Sequence, residues 1–143
     1  MKGHAMLRGL TTTTFFADDL RAAQAWYTEL FGVEPYFVRP VEGDPAYIEF
    51  RIGDYLHEFG LLNSSFSPHG STDKPGGVVA YWAVDDVQAS FDRLLDMGAT
   101  VHQGPIERGP GFTTASVVDP FGNVLGVMYN QHYLDMLTAR TGA

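Results

Sequence analysis

Two stretches of the chain carry apolar residues at helical spacing, and each is preceded by a strand-like run ending at an Asp-Asp pair. After Asp18-Asp19, the residues Leu20, Ala23, Trp26, Tyr27, Leu30 and Phe31 fall on one helical stripe. After Asp85-Asp86, Val87, Ser90, Phe91, Leu94 and Leu95 do the same. Asp19 and Asp86 stand where a carboxylate would accept from the free amides of a helix start. Gly32 and Gly98 stand where helices end. The runs ahead of them, Thr11 to Phe16 and Val78 to Val84, are rich in β-branched and aromatic residues and read as strands.

Three more short strands follow each helix. In the first half these are Tyr36 to Arg39, Tyr47 to Ile52 and Tyr55 to Leu62. In the second they are Thr100 to Gln103, Thr113 to Val118 and Val124 to Tyr129. Gly43-Asp44-Pro45, Gly53-Asp54 and Asp119-Pro120-Phe121-Gly122-Asn123 supply turns between them. The Asp-Asp pairs stand 67 residues apart (86 − 19), about half of the 143-residue chain. The pattern is therefore an α+β domain made of tandem βαβββ modules, expected to form a curved mixed sheet around a cleft, with the helices on the outer face. The whole chain, 1–143, reads as one domain: a first module at 7–63, a Pro/Gly-rich connector at 64–77, a second module at 78–130 and a C-terminal tail at 131–143. Tyr133 to Arg140 in that tail reads as a short helix.

Composition narrows the partners. Nine basic residues against seventeen acidic ones give a net charge of −8, and no Lys/Arg run offers a phosphate-binding surface, so neither nucleic acid nor an anionic membrane is an expected partner. With no cysteine, disulfides, thiolate metal sites and thiol nucleophiles are excluded. No segment approaches the roughly 20 apolar residues of a membrane span. The first residues lack a leader's apolar stretch. A cytoplasmic, soluble protein is the expectation.

Asp19-Leu20, Ala22-Ala23 and Trp26-Tyr27 resemble the strand-to-helix signature of the glyoxalase/bleomycin-resistance/dioxygenase (vicinal oxygen chelate) superfamily. Asp119-Pro120-Phe121-Gly122-Asn123, leading into Val124-Leu125-Gly126, is similar to the hairpin of that family's second module. The resemblance covers roughly residues 8 to 130. It implies a divalent metal held by His, Gln or Glu, with one ligand from the first strand and one from the fourth strand of each module. The first-strand place lies seven residues before the capping Asp, which gives Thr12 and Val79. The fourth-strand place of the second module is Gly126. Val and Gly have no donor side chain and a Thr hydroxyl is a weak one. Counting from the turn of the first module reaches His57, with Glu58 beside it; neighbours on a strand face opposite ways, so only one of the two faces the cleft.

The leading reading is a protein of this superfamily whose metal-free cleft, with no cofactor, binds or sequesters a small apolar or aromatic molecule. Thr12, Thr14, Tyr47, His57, Val79, Tyr81, Phe112, Gly126 and Met128 are the candidate ligand-binding residues. His57 and Glu58 are the only candidates for catalysis, by proton transfer, although His57 reads equally as a polar strand position. Phe16 is a further candidate wall, while Trp26 and Tyr27 belong to the core. One alternative is a metal-dependent lyase, isomerase or dioxygenase with displaced ligands, using His57 or Glu58 together with Glu49 or His102. Another is an interaction module without a small-molecule ligand. His4, His69 and His132 are scattered without ligand spacing. Gly109-Pro110-Gly111-Phe112 is a turn or a flap, since it lacks the Lys-Ser/Thr of a phosphate loop. A homodimer follows from the resemblance.

Overall fold

The computed structural model describes Met6 and residues 10–67 and 78–142. His4, His69 and most of the expected connector lie outside the described residues. The chain falls into two compact units, residues 1–66 and 67–143, and each repeats one order of elements. The first holds β1 (Thr12–Ala17), α1 (Leu20–Phe31), β2 (Phe37–Arg39), β3 (Tyr47–Ile52) and β4 (His57–Asn63), with a 3-10 turn at Ser64–Phe66. The second holds β5 (Ala80–Ala83), α2 (Val87–Asp96), β6 (Thr100–Gly109), β7 (Phe112–Val118), β8 (Val124–Asn130) and α3 (Gln131–Thr141).

Each unit forms one four-stranded mixed sheet, ordered β1-β4-β3-β2 in the first and β5-β8-β7-β6 in the second. The opening strand lies parallel to the last strand, and the other pairs are antiparallel. A parallel pair needs a crossover, and the helix supplies it. Both helices start as the sequence predicts: Asp19 accepts from the Ala22 amide at 3.0 Å and Asp86 from the Ala89 amide at 2.9 Å. Gly32 and Gly98 sit just past the helix ends with φ of 72° and 97°, in the left-handed region where a Cβ would be strained.

Strand alternation divides each sheet into a helix face and an open face. On the helix face of the first unit, Phe15, Ile48, Phe50, Phe59 and Leu61 are buried with Leu20, Ala23 and Tyr27 of α1. Its centre is aromatic. Phe59 lies 4.9 Å from Tyr27, 5.0 Å from Phe15 and 5.1 Å from Phe31, ring centre to ring centre. Trp26, expected in the core, is half-buried and packs edge-on against Tyr27. In the second unit the corresponding face is mostly aliphatic: Ala115, Val117, Leu125 and Val127 meet Val87, Phe91 and Leu94.

Three strands depart from the expected bounds by two residues or more, the simplest being β5, which spans only Ala80–Ala83 of the expected Val78 to Val84. β6 does not stop at Gln103 but runs through Gly104-Pro105 to Gly109, with register shifts between Val101 and Gln103, Gln103 and Ile106, and Glu107 and Gly109. The irregular pairing accommodates the glycine and proline that read as a break. Gly109 then pairs with Phe112, so Gly109-Pro110-Gly111-Phe112 is a tight hairpin turn, with Gly111 at φ 69°. β4 starts at His57, after a turn over 53–56 that Leu56 closes at φ 53°.

Candidate functional site

Three strands of the first unit bring a polar group together on the open face. In β3 the apolar residues Ile48, Phe50 and Ile52 alternate with Tyr47, Glu49 and Arg51, so the latter three share the face away from α1. Glu58 of β4 pairs with Arg51 on one side and Thr12 on the other, while Gly60 pairs with Glu49 and Thr14. Glu58, not His57, therefore shares the face of Thr12. The Thr12 hydroxyl donates to Glu58 Oε2 at 2.7 Å, and Arg51 Nη2 donates to Oε1 at 2.9 Å. Both carboxylate oxygens are engaged. Arg51 also lies over the Tyr36 ring at 5.2 Å, within cation–π range.

Beside this trio the Tyr47 hydroxyl donates to Glu49 Oε1 at 2.6 Å. Burial raises the Glu49 pKa from its ordinary value and the nearby Glu58 charge raises it further, with Arg51 pulling the other way. Burial, and then Glu58, also raises the Tyr47 phenol. The Tyr47 ring lies across Gly60: a Cβ there would meet the Tyr47 hydroxyl at 2.6 Å and Cε1 at 2.9 Å. His57 is exposed at the start of β4, opposite Ile52, with its ring 5.5 Å from Tyr55.

The second unit repeats the tyrosine-on-glycine arrangement with different parts. Tyr81 pairs with Gly126, and a Cβ on Gly126 would meet Tyr81 Cδ1 at 2.5 Å and Cε1 at 2.8 Å. Since Thr14 faces Gly60 as Tyr81 faces Gly126, the strand pairing makes Gly60 the counterpart of Gly126. Two residues back, the first unit has Glu58 facing Arg51, whereas the second has Val124 facing Val118. Val79, half-buried, immediately precedes β5. Met128 pairs with Thr114, and Phe112 opens β7 opposite Asn130, so both lie on the open face with Gly126. His102 Nδ1 is 2.8 Å from the Ser116 hydroxyl, and Arg108 Nε donates to Thr114 Oγ1 at 3.2 Å.

Thus Thr12, Thr14 and Tyr47 gather with Glu58 on one sheet, and Tyr81, Phe112, Gly126 and Met128 gather on the other. The roles of Arg51, Arg108, Thr114 and Ser116 were not foreseen. Arg51 was within reach of sequence reasoning, because Tyr47-Ile48-Glu49-Phe50-Arg51 alternates cleanly. Arg108 was not, because it lies on the part of β6 that follows Gly104-Pro105 and pairs irregularly.

The places that a metal would use do not fit one. A Cβ at Gly126 has no space under Tyr81 and one at its counterpart Gly60 has none under Tyr47, Val79 has no donor, and the nearby Glu58 already has both oxygens bonded within the chain. Among the described residues, no group of three or more His, Cys, Asp and Glu is placed to hold a metal ion. No described helix is long and apolar enough to cross a membrane.

A family model described as the Glyoxalase/Bleomycin resistance protein/Dioxygenase superfamily matches residues 9–127. Among solved structures, a glyoxalase-related enzyme from Fulvimarina pelagi is similar at TM-score 0.67 and 20% identity, over 87% of this chain and 90% of that one. A superfamily member from Sphaerobacter thermophilus is similar at TM-score 0.66 and 20% identity, over 87% and 98%. A lactoylglutathione lyase from Agrobacterium tumefaciens is similar at TM-score 0.61 and 23% identity, over 87% and 95%. At these identities the likeness speaks for the fold alone. No curated protein matches the sequence.

Proposed function

The chain belongs to the glyoxalase/bleomycin resistance protein/dioxygenase superfamily, and we propose that it binds a small organic molecule, largely apolar or aromatic, on the open faces of its sheets without a metal. The observation that carries this reading is the pair of tyrosine rings laid over glycines, Tyr47 on Gly60 and Tyr81 on Gly126. At Gly126 an aromatic surface fills the place where the superfamily's enzymes put a carboxylate ligand. Phe16 in the first unit and Phe112 and Met128 in the second add apolar surface on the same faces. Thr12, Thr14, Glu58 and Arg51 supply polar groups that orient a ligand on the first sheet. Homodimerisation and a cytoplasmic setting belong to the same proposal.

The metal-dependent alternative rests on Glu58, which shares a face with Thr12. It would require Glu58 to leave its bond with Arg51. Elemental analysis of the purified, tag-free protein, before and after dialysis against divalent ions, separates the two readings. The proposal expects no stoichiometric metal at either stage, together with a rise in melting temperature from aromatic compounds in a ligand panel. One tightly held metal per chain, lost on Glu58→Ala, would overturn it. Light scattering coupled to size-exclusion chromatography checks the dimer.

A further inference from the structure

The open face of the second sheet carries two cationic or ionisable side chains held over buried hydroxyls. Ser116 and Thr114 are 2% and 4% exposed. They lie two residues apart on β7, hence on one face and about 7 Å from each other. A register shift between Val101 and Gln103 brings His102 to that face, where Nδ1 meets the Ser116 hydroxyl at 2.8 Å. A buried hydroxyl needs an acceptor for its proton, and Nδ1 provides one. With the Ser116 hydroxyl as donor to Nδ1, the exposed imidazole carries its proton on Nε2 and can donate from there. Further along β6, Arg108 Nε donates to Thr114 Oγ1 at 3.2 Å and Nη2 donates to Gln103 Oε1 at 3.0 Å. Neither bond uses Nη1.

Across the sheet from these donors the surface turns apolar. Ser116 pairs with Gly126, which pairs with Tyr81, and Thr114 pairs with Met128. Tyr81 is 40% exposed. Ile106 also pairs with Thr114 and so shares this face, whereas Glu107 pairs with Thr113 on the reverse. One sheet face thus sets an arginine and a donor imidazole beside a tyrosine ring and a methionine, in a chain whose net charge is −8. Residues pinned by hydrogen bonds lose less entropy when they bind.

We propose that this face binds a small aromatic carboxylate, its carboxylate held by Arg108 and His102 and its ring laid against Tyr81 and Met128. The inference rests on the reading that the open faces take an organic ligand, and it adds the charge and the residues that read it. Arg108 offers a planar guanidinium to a planar carboxylate, and His102 donates beside it.

The test uses naphthoate and its neutral analogue naphthamide as probes of the whole chain, by calorimetry and by NMR of the Arg108 Nε–H and the His102 ring. Naphthoate is expected to bind roughly tenfold or more tighter than naphthamide, since a charge-assisted hydrogen bond contributes at least that factor. Its shifts should centre on Arg108, His102 and Tyr81. Arg108→Met should abolish the preference, bringing naphthoate affinity down to that of naphthamide. Equal affinity for the two probes would overturn the carboxylate assignment but leave the aromatic-ligand reading standing. Binding of neither would overturn both. The NMR shifts of the unaltered protein decide the matter even if Arg108→Met fails to fold: shifts confined to other residues would sink the proposal.

Discussion

A methyl group added at Gly126 would collide with the root of the Tyr81 ring, where Cγ lies only 3.0 Å away, so the whole ring must swing. Gly126→Ala should therefore cost about 1–3 kcal/mol in chemical denaturation. The same change made in a Tyr81→Ala background should cost far less. Glu49 gives the second test at this scale. Its pKa is raised in the fold, so across the window from its unfolded value up to its raised value the folded state binds more protons than the unfolded chain. Stability from this group is full below that window and falls as pH rises through it. Glu49→Gln keeps an acceptor for the Tyr47 hydroxyl and removes the titration. Melting curves of the variant taken from acid to neutral pH should lack that fall and lie above the parent's at pH 7. The His57–Glu58 ambiguity also belongs to this scale. Counting from the turns failed because Gly53 opens its turn over 53–56 whereas Gly122 stands late in the turn over 119–123, and strand pairing puts Gly60, three residues past His57, in the place of Gly126. Parity follows from strand pairing, which a single sequence does not contain.

At the scale of elements, the helices were the most legible, because a capping Asp, an apolar stripe and a terminal glycine all agree. Asp86 accepts from the Ala89 amide, and Asp86→Ala should lower stability by about 1 kcal/mol, with Asp86→Asn or Asp86→Ser recovering most of it in the same denaturation assay. Strands β1, β3, β7 and β8 were legible within a residue or two, β1 and β3 because alternate residues are buried, β7 and β8 because their largely apolar runs lie between turn residues. β6 was not. Its burial pattern shows no buried residue at all, so no apolar period marks its length, and Gly104-Pro105 reads as a stop. The arginine and histidine on its open face were hidden by the same irregularity.

For the molecule as a whole, the duplication has diverged in its interior. The first unit packs Phe15, Tyr27, Phe31, Phe50 and Phe59 into one aromatic cluster, while the second buries mainly aliphatic side chains. Phe59→Ala should cost about 3–5 kcal/mol and remove much of the near-ultraviolet circular dichroism. Val117→Ala should lower stability too, yet leave that signal largely in place. The open faces differ in the same sense, with Arg51 and Glu58 in one unit where Val118 and Val124 stand in the other.

β6 is the outermost strand of its sheet and, among the described residues, pairs only with β7. A ten-residue strand with one free edge is a template on which another chain can add itself. Pro105 withholds a donor from that edge, and the register shifts break the regular spacing that a foreign strand would need to match. The kinks that carry His102 to the open face thereby also make this edge a poorer template, and straightening β6 to tidy its pairing should give a variant more prone to edge-to-edge association.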